Sequence, residues 1–235
     1  MSDKHLSSQF DADLNAVSSK VLEMGGLVES QIIAAMQALN EFDIGIADQV
    51  IAAEVQLNRM EVEIDEDCSN IIARRQPAAR DLRLLMAISK TITNLERAGD
   101  EAEKIAKRVK RINEDGAGRT VNIAEIKLSG EMAVSILRRA LDAFARLDTV
   151  AAAQIVRDDK AIDEEFRAFV RKLVTYMMED PRTISAGLDY LFIAKAVERI
   201  GDHAKNIAEF IIYIVKGTDV RHISRDQLER EALGG

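Results

Sequence analysis

Apolar residues recur in steps of four and three along almost the whole chain. The first run is Phe10, Leu14, Val17, Val21, Met24, Val28, Ile32, Ala35 and Leu39. This spacing keeps one face of an α-helix apolar over many turns and predicts a long amphipathic helix. The helix is expected to end at Asn40-Glu41-Phe42-Asp43, a turn carrying capping residues. A second run, from Val50 through Leu57, Ile64 and Cys68 to Ile71, stops before Pro77. A proline pushes the residue before it out of helical conformation, so Gln76 marks the boundary. A third run, Leu85, Ile88, Ile92, Leu95, Gly99, Ala102, Ala106 and Val109, fades into Asn113-Glu114-Asp115-Gly116-Ala117-Gly118, the clearest linker in the chain.

The pattern then starts again. Runs from Ile126 to Leu147, from Ile155 to Tyr176 and from Leu188 to Val215 predict three more helices, the last capped by Gly217. The halves are an internal repeat. Glu96-Arg97-Ala98-Gly99-Asp100 matches Glu198-Arg199-Ile200-Gly201-Asp202, and Ile105-Ala106 matches Ile207-Ala208 at the same offset. Gln49-Val50 matches Gln154-Ile155, and Pro77 and Pro181 fall in the same inter-helix turn. The expected fold is all-α: two tandem three-helix bundles over residues 1–115 and 119–217, each able to bury a core of its own. Residues 218–235 form a polar tail, a loop or a short extra helix begun by Ser224. A single long six-helix bundle is the alternative; the Gly-containing linker and the repeat favour two.

Composition agrees with helices. The 235 residues include only 2 Pro and no Trp, and long helices exclude proline. The net charge of −8 argues against a nucleic-acid partner, since phosphates must be neutralised. The basic run Lys104, Lys107, Arg108, Lys110, Arg111 reads most simply as a solvated helix face complementing a helix C-terminus. Cys68 is the sole cysteine and sits on an apolar seam, which suggests a buried thiol in a reducing compartment. No stretch approaches the roughly 18 apolar residues of a membrane span, and the N-terminal residues carry no apolar signal core. A cytoplasmic protein is expected, peripheral to the inner membrane only through partners.

No Gly-rich phosphate loop, Gly-x-Ser-x-Gly or His-Glu-x-x-His is present, so a non-enzymatic role is expected. The feature that stands out is carboxylates at i, i+4, which share one helix face. Glu96 with Asp100 and Glu198 with Asp202 recur inside the matching repeat blocks, and Asp159 with Asp163 and Glu61 with Asp65 have the same spacing. In a chain with 40 acids about seven such pairs arise by chance, so the recurrence carries the signal, not the spacing. Two helices so equipped can gather carboxylates around a cation, while solvated ion pairs with neighbouring arginines are the commoner outcome.

Glu198-Arg199-Ile200-Gly201-Asp202-His203-Ala204, with Asn206-Ile207-Ala208-Glu209 after it, resembles the signature of the PhoU family. Arg75-Gln76-Pro77, with Ala79, Asp81, Leu82 and Arg83, resembles that family's entry to the third helix, and the repeat order fits from about Phe10 to Gly217. The resemblance implies paired three-helix bundles and a negative regulator of phosphate uptake and of the phosphate-starvation response. Its implied partners are the ATPase subunit of the phosphate ABC transporter and the phosphate sensor histidine kinase. It also implies metal on Glu/Asp-x-x-x-Asp motifs: Glu96 with Asp100, Glu198 with Asp202, and Asp159 with Asp163 on the neighbouring helix. Magnesium, calcium, manganese, iron and zinc all suit such ligands.

The first-half counterpart of Asp159-x-x-x-Asp163 is Glu54-x-x-x-Asn58, which makes the second site the better candidate. His203 is a further candidate ligand or ligand-orienting donor, with an exposed helical histidine as the plainer reading. A homodimer is expected from the long amphipathic faces. The competing readings are a di-metal enzyme of ferritin-like type, which lacks its Glu-x-x-His motif here, and a purely structural dimerising bundle.

Overall fold

The computed structural model describes residues 8–114 and 121–233. Seven α-helices follow one another among these residues: α1 (Ser8–Glu41), α2 (Ile44–Arg75), α3 (Ala79–Glu114), α4 (Ala124–Arg146), α5 (Thr149–Glu179), α6 (Ile184–Lys216) and α7 (Arg225–Leu233). A 3-10 turn, Pro181–Thr183, joins α5 to α6. There are no strands among the described residues. Of the linker expected over residues 113–118, Asn113 and Glu114 instead form the end of α3, and residues 115–118 lie outside the described residues.

The helix ends follow from local chemistry. Asp43 caps α2 by accepting from the Ile46 amide at 3.0 Å. Asp148 caps α5 by accepting from the amides of Val150 and Ala151. Gln76 does end α2 but is left-handed (φ 47°), donating its N–H to Ile72 at 3.0 Å. The proline thus excludes right-handed helix there without imposing an extended residue. Gly217 closes α6 at φ 80°, a backbone glycine adopts without a Cβ penalty.

Helices α1–α3 form one three-helix unit and α4–α6 the other, and the units join along α3 with α6 and α1 with α4. Both pairs run antiparallel, because later positions of one helix meet earlier positions of the other: Glu101 with Arg199 and Arg108 with Asp189. The α1–α4 seam is nearly two-fold. A Cβ on Gly25 would lie 2.3 Å from Leu141, and one on Gly130 would lie 2.5 Å from Met36. Gly25 and Gly130 are repeat-equivalent, as are Met36 and Leu141, so each half supplies both the hollow and the side chain that fills it.

The buried apolar residues form one cluster running through both halves, so the repeat units do not keep separate cores. The polar tail also belongs to this body. Ser224 and Gln227 cap α7 reciprocally, and α7 buries Leu228 and Ala232, with Thr149 donating to the Ala232 carbonyl at 2.9 Å. One residue of the expected sixth seam is misplaced. Leu188 is exposed, while Asp189 beside it is buried. Asp189 falls in step with the buried Ile193, Ala196 and Ile200 of α6, and Arg108 reaches it at 2.6 Å, so the charge is buried with a partner.

Candidate metal centre and its relatives

The first-half site is built by three helices. Gly99 lets α2 approach α3 closely; a Cβ there would lie 2.1 Å from Leu57 and 3.4 Å from a Glu54 carboxylate oxygen. One turn of α3 then sets Glu96 and Asp100 on the face that meets Glu54 of α2, and ligand oxygens of all three lie within 4.8 Å of one another. Gln31 of α1 closes the floor, donating from Nε2 to Glu54 and to the Val50 carbonyl, both at 3.1 Å. Glu54 and Gln31 are buried, and Glu54 Oε1 and Gln31 Oε1 have no hydrogen-bond partner.

Crowded carboxylates with little water resist ionisation. Burial pushes Glu96 up to about 7, with Asp100, Glu61 and Glu54 adding repulsion. Burial also raises Glu54; the bond from Gln31 opposes this, and Asp100 and Glu103 reinforce it. Orphaned buried oxygens beside three hard carboxylates fit a hard cation: Glu54, Glu96 and Asp100 would hold it, with Gln31 positioning Glu54. Glu54 and Gln31 are the members that spacing missed. The signals were present: repeat register sets Glu54 opposite Asp159, and Gln31 interrupts the apolar seam between Val28 and Ile32.

The second-half acids are arranged differently. Asp159 is buried and Asp202 lies across from it, but Lys205 stands between them, 3.1 Å from Asp159 and 2.7 Å from Asp202. Lys195 takes Glu198 at 2.6 Å, and Asp163 faces Arg167 at 3.9 Å. Burial opposes the Lys205 charge, yet Asp202 and Asp159 outweigh it and hold the ammonium above its ordinary range. Among the described residues it is therefore the first-half acids whose ligand oxygens gather within reach of one ion. His203 joins neither: it is half-buried with Nδ1 3.1 Å from Asn94 Oδ1 at the α3–α6 seam, and burial lowers its pKa. Glu61 and Asp65 are engaged separately, by Thr93 and Ser89. Cys68 is buried and its thiol is pushed up to about 12 by that burial, with Asp65 and Asp67 adding to it, which leaves it unreactive.

Both repeat units, residues 21–109 and 126–211, match the PhoU domain. The chain belongs to the PhoU family. It is 62% identical over 234 residues to a Burkholderia protein named phosphate-specific transport system accessory protein PhoU homolog, covering 99% of this chain and 100% of that one. It is 46% identical to the Escherichia coli accessory protein PhoU over 98% of this chain and 95% of that one. Its fold is similar to the crystal structure of PhoU from Pseudomonas aeruginosa, with TM-score 0.86, 48% identity, and 89% and 100% of the two chains covered. PhoU from Streptococcus pneumoniae, named as a phosphate transport system regulatory protein, follows at TM-score 0.83 and 28% identity over 90% and 99%.

Proposed function

We propose that this PhoU-family chain is an accessory protein of a phosphate-specific transport system, acting as a non-catalytic adaptor. The names of its full-length relatives support the transport role. In this reading it couples the transporter's ATPase subunit to the phosphate sensor kinase and restrains uptake and the starvation response when phosphate is plentiful. No described helix is long and apolar enough to cross a membrane, so contact with the transporter would run through helix faces.

The observation that carries the physical part of this reading is the Glu54–Glu96–Asp100 cluster at the seam of three helices. A cation there neutralises carboxylates that otherwise repel, and so ties α2 to α3. It fixes geometry and performs no turnover. The test is a pull-down from membranes of phosphate-replete cells, with mass spectrometry as readout. Recovery of the ATPase subunit or the sensor kinase is expected. Recovery of neither, where a known membrane complex survives the same extraction, removes the adaptor role.

A further inference from the structure

We propose that the cleft between α3 and α6 binds a small anion bearing a di- or triphosphate. This does not depend on the adaptor reading or on the metal centre. The cleft is about 440 Å³, within the range of small-molecule sites. Six cations line it: Lys104, Lys107, Arg108 and Arg111 from α3, and Lys195 and Arg199 from α6. Glu101 is the one acid among the described residues of the lining, and Phe192 and Ala196 give it an apolar patch. In a chain of net charge −8 this is a local reversal of sign, and clefts lined by one sign of charge concentrate the opposite ion.

The partners of these cations show which are available. Lys107 pairs with Glu103 and Lys195 with Glu198, each within its own helix, and Lys104 and Arg199 share Glu101. Such lysine and arginine heads are 40 to 57% exposed. Their acid partners are mostly covered, 6 to 17% exposed, but each ammonium or guanidinium has further N–H donors that can reach a phosphate without releasing its acid. Counting Glu101, Glu103, Asp189 and Glu198 against the six cations leaves a surplus of two positive charges (6 − 4), which suits a ligand of at least two negative charges.

Arg108 is different: Asp189 holds it at 2.6 Å and its guanidinium lies 4.4 Å from the Phe192 ring centroid, so it is a fixed donor. Phe192 is half-exposed, a stacking surface beside the charged rim. The basic run on α3 is thus not only a solvated face, because α6 returns two more cations toward it.

The test is calorimetry with the full chain in a chelating buffer, using inorganic phosphate, pyrophosphate and ATP as probes. Saturable binding of pyrophosphate or ATP below about 1 mM is expected, with inorganic phosphate weaker. Lys107→Ala with Lys195→Ala should weaken it about tenfold or more, while the remote Lys20→Ala leaves it unchanged. Phe192→Ala separates the sources: loss for ATP alone identifies a nucleotide, and equal binding identifies an inorganic polyphosphate. In the unaltered protein, NMR shifts on adding pyrophosphate should centre on Ala196 and Phe192, so a poorly folded variant does not remove the test. No saturable binding by any probe, shifts elsewhere, or binding of a polyglutamate peptide alone overturns the proposal.

Discussion

The two halves of the chain repeat one three-helix unit with nearly the same acidic block, yet they solve the crowding of those acids in opposite ways. In the second half, lysines do it. Lys205 bridges Asp159 and Asp202, and Lys195 pairs with Glu198 while lying 5.4 Å from the Phe166 ring centroid. Repeat register places Glu103 where Lys205 stands, Thr93 where Lys195 stands, and Glu61 where Phe166 stands. The first half therefore keeps Glu54, Glu96 and Asp100 without a lysine among them, and Thr93 donates to Glu61 instead. One half carries its own counter-ions; the other brings Glu54, Glu96 and Asp100 together, where we propose a counter-ion from solution. Duplication preserves a fold more readily than the charge balance of a site, because substitutions at equivalent positions of the repeat alter that balance.

The largest effect is expected at Lys205. Lys205→Met strands the buried Asp159 and should cost about 3 kcal/mol at neutral pH, measured by urea unfolding. A loss near zero would mean that the lysine does not neutralise the second site. Next, Glu54→Gln with Glu96→Gln should weaken manganese binding on the order of 100-fold in calorimetry. Asp159→Asn should leave that affinity unchanged, and equal losses in the two variants would erase the asymmetry.

Gly99→Ala should destabilise by about 1–3 kcal/mol, because the new methyl meets Leu57 at 2.1 Å; Gly201→Ala should cost less, since it meets the Ile162 methyl at 2.8 Å. Thermal melts of the two variants decide this. The smallest effect is on pH dependence. Glu96 ionises near 7 when folded but near its ordinary 4.5 when unfolded, so the folded state holds the proton longer. Without metal, stability should fall as pH rises from about 4.5 to about 7 and stay level above that. Glu96→Gln should remove part of this fall, a few degrees of melting temperature, with Glu209, also pushed up to about 7 by burial, retaining the rest. A variant melting profile as steep as that of the unaltered chain would show that Glu96 is not the titrating group.

Sequence alone determined six long helices, their caps at Asp43 and Gly217, the break at Gln76, and the duplication. These are properties of periodicity and local backbone chemistry, which need no partner element. It also singled out Glu96 and Asp100, because recurrence within a repeat can be read along the chain. What the tertiary structure decided was which acids meet and which cations come between them. Glu54 joins Glu96 only because Gly99 admits α2, Lys205 reaches Asp159 only across the α5–α6 seam, and the basic run faces a cleft only because α6 returns antiparallel with Lys195 and Arg199. The sum of charges along a helix is local, but the charge balance of a site depends on which helices pack together.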